Sequence, residues 1–236
     1  MVNIDTVYQR VLALANKEQR GYITPQEFNL FANQAQMEIF EQYFYDLHNF
    51  ELRDAIGTLN EETTDLTRQK RDMFLRTAGP NQVNNYQVVG QAVVLPDFIY
   101  RIARLEVNNN KAEYYSNDKF KDIITGPPLI RPTTNRPVWT FHRNRVRVND
   151  GNNIQLGIGL HYWIIPPTVS WGYFVLNDKA LFDASANKTT HFELHASEET
   201  ELIYKILRLA GISMKKQDVV EAGQGIDILQ QKNEKQ

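Results

Sequence analysis

Between Phe28 and Phe50, apolar side chains recur at steps of three and four: Phe28, Phe31, Ala32, Ala35, Ile39, Tyr43, Leu47 and Phe50. Side chains at these steps line one face of a helix, whereas a strand face repeats every second residue. The stripe predicts a long amphipathic helix with an unusually aromatic buried face. Such a face is stable only against other elements, so the chain must supply partners. The start is marked as well. Thr24 is an N-cap, Pro25 takes the first helical position, and Glu27 follows three residues after the cap, which makes a capping box.

The stretch before that helix, NKEQRGYITPQEF, has the outline of half a calcium-binding loop. With Gly21 at loop position 6, position 1 is Asn16, position 3 is Glu18 and position 5 is Arg20. An arginine stands where an oxygen ligand is required, so the ligand set fails. Gly21 is read instead as the end of a first helix, whose face is Ile4, Val7, Val11 and Leu14. A third helical pattern follows: Leu52, Ile56, Leu59, Thr63, Leu66, Lys70 and Met73 form a heptad seam weakened by Thr63 and Lys70. Gly79-Pro80 stops it.

The middle of the chain is β. Tyr86–Leu95 is rich in β-branched residues, and Asp97–Ser116 reads as a strand, an Asn-rich turn and a second strand. Val138 to Pro167 holds two or three more, with a turn at Asp150-Gly151. Gly126–Val138 carries four prolines in thirteen residues and is expected to be a long extended loop. The end returns to helix. Ser197 is read as the cap, Glu198 and Glu199 as the acidic first turn, Leu202, Ile206, Leu209 and Ala210 as the buried face, and Gly211 as the end. The polar terminus, with Gly223 and Gly225, suggests a weaker last helix. This layout predicts an α+β fold, in which N- and C-terminal helices form a bundle around a central antiparallel β subdomain. The expected divisions are residues 1–80, 81–195 and 196–236.

Composition excludes several classes. The 236 residues carry a net charge of −2, so bulk charge drives binding to neither nucleic acid nor anionic membrane. There are no cysteines, hence no disulfide, thiolate metal site or cysteine nucleophile. No apolar run approaches a bilayer span, and MVNIDTVYQR lacks the pattern of a secretory leader. A soluble chain made in a cytosol is expected.

Three constellations could carry chemistry. HFELH, extended, puts His191, Glu193 and His195 on one face, a set that suits zinc, and Phe192 and Leu194 on the other. The alternative is a strand with those two apolar residues buried. FHRNRVRVN aligns Arg143, Arg145 and Arg147 opposite Val146 and Val148. That is a stripe for phosphate, or a solvated or charge-pairing face. Tyr162, Trp163, Trp171, Tyr173 and Phe174 read first as core aromatics of a hairpin, and otherwise as a contact surface. No phosphate loop follows a strand, no serine elbow is present, and no two carboxylates stand out as acid and base. No enzymatic activity and no cofactor are expected.

Two stretches carry a resemblance: NKEQRGYITPQEFNLFANQAQMEIFEQYF, and HFELHASEETELIYKILRLAGISMKKQD. They resemble virion structural proteins of tailed bacteriophages, above all the ring, or head-to-tail adaptor, proteins of crAss-like phages. The plan is similar to tail tubular protein A and the connector proteins of short-tailed phages, and YWIIPP and PPLIRPTTNRPV also look like that group. The resemblance implies a dodecameric ring beneath the portal protein, at the portal vertex of a virion assembled in the bacterial cytoplasm. It implies docking to the next ring or to a tail or nozzle protein, with genomic DNA passing the lumen without sequence-specific binding and no membrane partner. The family has no active-site residues to carry over.

Subunit contacts are then expected from Phe31, Phe40, Tyr43 and Phe44, with Tyr45, on the long helix. The proline-rich loop would add Pro127, Pro128, Arg131 and Pro132, and the aromatic hairpin Trp163 and Trp171. The polar C-terminal tail is expected to clasp neighbours. The alternative is a nucleic-acid-binding accessory protein using the arginine strand. A metal-dependent hydrolase using His191, Glu193 and His195 would require stoichiometric zinc.

Overall fold

The computed structural model describes residues 1–17, 23–54, 61–79, 88–89, 92–151, 157–177, 179–185 and 187–213. The readings of Gly21 as a helix end, of Ile56 and Leu59 as seam positions and of the C-terminal tail lie outside these residues. In chain order the elements are α1 (Ile4–Lys17), α2 (Pro25–Asp54), α3 (Glu61–Asp72), β1 (Leu75–Ala78), β2 (Val88–Val89), β3 (Ala92–Val94), β4 (Ile99–Val107), β5 (Asn110–Lys111) and β6 (Glu113–Tyr114). There follow α4 (Asn117–Thr125), β7 (Val138–His142), β8 (Arg145–Asn149), β9 (Ile158–Ile164), β10 (Tyr173–Leu176), β11 (Lys179–Phe182), a 3₁₀ turn (Ala196–Glu198) and α5 (Glu199–Ser213). The fold is α+β, with N- and C-terminal helices. Contacts divide the chain into two units, one of residues 1–73 and 166–236 and one of 74–165, rather than at 80 and 195.

The first unit is built on α2, which packs against α3 and α5, while α1 packs on α5. Its stripe is buried as the spacing requires: Phe28, Ala32, Ala35, Ile39, Tyr43, Leu47 and Phe50 are inside, and only Phe31 is half-exposed. The capping box forms. Glu27 N–H donates to Thr24 Oγ1 at 3.3 Å, and Thr24 N–H donates to Glu27 Oε2 at 3.0 Å. The same hydrogen bonds hold the Glu27 carboxyl below the usual range, the Thr24 backbone bond contributing most. Replacing Thr24 by alanine should cost about 1 kcal/mol, measurable by urea unfolding.

Several helical readings change. Leu14 is exposed, because α1 turns Tyr8 inward with Ile4, Val7 and Val11. The heptad seam does not form as drawn. α2 runs on through Leu52 to Asp54, and α3 buries Thr64 and Lys70 while Leu66 is exposed. α3 also ends at Asp72, before Gly79, because Leu75–Ala78 pairs as a strand with β9. At the C-terminal helix the cap of the 3₁₀ turn is His195, whose Nδ1 accepts the Ser197 N–H. Ser197 itself lies in the turn. α5 continues through Gly211 to Ser213, and Leu209 is only half-buried.

The second unit is two sheets around one core. One has strand order β1-β9-β4-β5 and the other β2-β3-β8-β7-β6. Ala78, Leu105, Val107, Leu160 and Tyr162 from the first meet Val93, Trp139, Val146 and Val148 from the second in one cluster. Period-two alternation sends the intervening residues outward. The Asn-rich turn is found: Asn108 and Asn109 have φ of 49° and 66°, the left-handed pair that a two-residue hairpin needs. The expected second strand is split at Ala112. β5 stays with β4, whereas β6 joins the other sheet and runs parallel to β7, a departure from the all-antiparallel expectation. Within the β-branched stretch Tyr86–Leu95, β2 and β3 pair antiparallel. The Asp150-Gly151 turn holds, with Gly151 at φ 82° and the Asn149 side chain accepting its N–H.

Candidate interaction surfaces

The segment 166–172 enters the first unit extended and is held by three side chains of α2. Asn33 Nδ2 donates to Val169 O, and its Oδ1 accepts the Val169 N–H, both at 2.8 Å. One turn earlier, Asn29 Oδ1 accepts the Trp171 N–H at 2.7 Å, and its Nδ2 donates to Trp171 O. Gln36 Nε2 donates to Pro167 O at 2.9 Å. An amide side chain carries both a donor NH2 and an acceptor carbonyl, so two asparagines four residues apart mimic the edge of a strand. Sequence reasoning missed this clamp. The signal was three polar residues, Asn29, Asn33 and Gln36, bordering an apolar stripe.

The clamp fixes Trp171 and, through it, the β10–β11 hairpin. The indole is 1 % exposed, lies 4.1 Å from the Tyr8 ring, and stacks on Tyr173 and Phe182 at 5.8 and 5.9 Å. Its N–H donates to Asp5 Oδ1 at 2.9 Å. Tyr173 pairs with Phe182 across the hairpin, so both rings share the face turned to Trp171. Phe174 pairs with Leu181, and Leu176 lies two residues on from Phe174. These three make the opposite face. That face is open: Phe174, Leu176 and Leu181 are 46 %, 55 % and 40 % exposed. The hairpin exit is tied by Asp183, whose carboxyl falls to about 2 because Lys188 and then the Ser185 N–H hydrogen-bond its charged form.

Two hollows lie among the described residues of the second unit. One, of about 390 Å³, is lined by Ile99, Tyr100, Tyr114, Trp139 and Phe141. The other, of about 520 Å³, lies where α4 meets the β3–β8 side of the sheet, and Lys121, Arg145 and Arg147 line it. The helix α4 was not foreseen, although Phe120 and Ile124 stand at helical spacing. The proline-rich segment is a loop, closed by reciprocal hydrogen bonds between the backbones of Thr133 and Arg136.

Several proposed contact residues are internal. Phe40 is fully buried, with its ring 5.2 Å from the half-buried Phe44, because the stripe of α2 is wider than its spacing alone marks. Tyr43, Trp171 and Pro132 are buried as well. Phe31 and Trp163 are half-buried. Tyr45, Pro127, Pro128 and Arg131 remain exposed, and Arg131 Nε donates to Gly126 O at 2.8 Å. Arg143 is not on the strand face. It sits in the β7–β8 turn with φ 51°, while Arg145 and Arg147 do alternate with the buried Val146 and Val148.

HFELH is extended, with Phe192 and Leu194 buried. His191 Nδ1 accepts the Ile4 N–H, and His195 is occupied in its cap. Among the described residues no three His, Asp or Glu side chains are gathered for a metal. Glu113 is lowered by the Tyr115 hydroxyl and Arg136. Glu27 belongs to a helix cap, Asp183 to a surface turn and Glu113 to the exposed strand β6, and none lines either hollow. The two hollows of the second unit are lined, among the described residues, mainly by apolar and cationic side chains. No protein-family model matches the chain, and no curated protein matches it.

Proposed function

We propose that this chain is a structural virion protein of a tailed phage, a subunit of a head-to-tail adaptor ring that extends the DNA channel below the portal and docks the tail. The observation that carries the reading is the apolar outer face of the β10–β11 hairpin. Phe174, Leu176 and Leu181 stand together and about half exposed, so covering each would gain roughly half of the 1.5–3 kcal/mol of full burial before the costs of association. Residues of this kind, clustered and well backed, are what protein interfaces use as anchors. A ring is closed by heterologous contacts, in which one patch meets a different patch of the next subunit. The segregated α+β plan and the resemblance of the two terminal stretches support the same role.

The test is native mass by light scattering, alone and with the portal protein added. A ring-sized species or capture by the portal is expected. The double substitution Phe174→Glu and Leu181→Glu should abolish it while leaving the circular dichroism spectrum unchanged. A chain that stays monomeric with the portal present, or a double variant that assembles like the parent, would overturn the reading.

A further inference from the structure

We infer that the groove between α4 and β8 is a binding site for the phosphodiester backbone of DNA, held by Lys121, Arg145 and Arg147. The inference stands on the second unit alone and does not rest on ring assembly. All three cations line one concave surface of about 520 Å³, and no acidic side chain lines it among the described residues. None of the three has an ion-pair or hydrogen-bond partner for its side chain among those residues, whereas Arg104, Arg136 and Arg208 are each matched by a glutamate. Gathering three positive charges with no paired carboxylate among the described residues costs energy by mutual repulsion, and an anion relieves it.

The spacing favours a polymer. Arg145 and Arg147 are two residues apart on one strand face, about 6.6–6.8 Å. That is close to twice the ~3.4 Å axial interval between charges on one DNA strand. Each guanidinium presents a planar fork that takes two phosphate oxygens at once. Lys121, on α4, faces the same groove from the other wall. Phe120 is buried and offers no open ring for a base, so the contact is sequence-independent and stops at the backbone. Arg143, in the turn, does not line the groove. The site is therefore narrower than the arginine stripe in the sequence, and it includes a lysine that the stripe does not contain.

The experiment is fluorescence anisotropy of the full chain with a labelled duplex DNA between 50 and 200 mM salt. Three phosphate contacts predict a slope of log affinity on log salt of about −2.7, or a loss of ~40-fold over that range. The double variant Arg145→Gln and Arg147→Gln should reduce the slope by about two, and Lys121→Gln by about one. Lys111→Gln, on the other sheet, should leave it unchanged. A thermal melt of each variant separates lost binding from lost folding. Polyglutamate and inorganic phosphate serve as competitors. No binding at 50 mM salt, or a slope indifferent to the arginines, overturns the inference. Displacement by polyglutamate as effective as by unlabelled DNA would also overturn it, by assigning the groove to an acidic polypeptide.

Discussion

Truncating Trp171 to alanine is expected to destabilise the first unit by about 3–5 kcal/mol. The indole is surrounded by Tyr8, Tyr173 and Phe182, all rings that cannot collapse into the space it leaves. Its loss also strips Asp5 Oδ1 of the indole donor. Both contributions act together, which places the change at the upper end of large-to-small replacements. Trp171→Phe keeps most of the stacking and removes the N–H alone, so it should cost less than half as much. The effect reaches the proposed contact face. With its inner side unsupported, the β10–β11 hairpin no longer presents Phe174, Leu176 and Leu181 as one surface, and assembly should fail at temperatures where the helices persist. Urea unfolding followed by circular dichroism reads the first effect and light scattering the second. A loss under about 1 kcal/mol for the alanine variant would show that the hairpin is held elsewhere.

Breaking the ion pair between Lys70 and Glu198 is the second large effect, about 3–5 kcal/mol for removal of either partner. Lys70 Nζ lies 2.5 Å from Glu198 Oε1, and the two side chains are only 9 % and 3 % exposed. The pair fastens α3 to the 3₁₀ turn that opens α5. Its strength comes less from attraction than from what is left when one charge goes: a buried ion without a counter-charge. The two single variants should differ. Asp46 and Glu201 border the same small hollow, and Glu201 is also paired with Lys205. Lys70→Met removes the cation that borders this hollow with Asp46, Glu198 and Glu201 and should be the worse. Glu198→Gln leaves Lys70 with acidic neighbours still near it. Replacing both by methionine should recover most of the loss, because apolar volume costs nothing to desolvate. A double-mutant cycle in urea measures this. Additive losses would mean that the pair is not coupled.

What could be read without coordinates was local. The stripe from Phe28 to Phe50 specifies a helix and most of its buried face, because helical periodicity needs only near neighbours in the chain. The Thr24 to Glu27 box, the left-handed Asn108-Asn109 turn and the alternation through Phe192 and Leu194 are legible for the same reason: each is settled by two to five consecutive residues. The alternation of Arg145 and Arg147 with Val146 and Val148 was equally plain, but not that Arg143 drops into the turn, since register depends on the partner strand.

The candidate surfaces were legible only in part. The segregation of helix, strand and helix was determined by sequence alone. Only the tertiary structure decided that residues 166–195 join the helices, that Asn29 and Asn33 clamp that segment, and that Lys121 comes to the two arginines. It also turned Trp171 inward and Phe174 outward, and gave Lys70 a partner 128 residues away. The physical reason is common to all of these. Such contacts are made between elements far apart in the chain. Their free energy comes from burial and pairing that no local window contains, so the same aromatic letters serve as anchor or as open face according to which side of the hairpin is already covered.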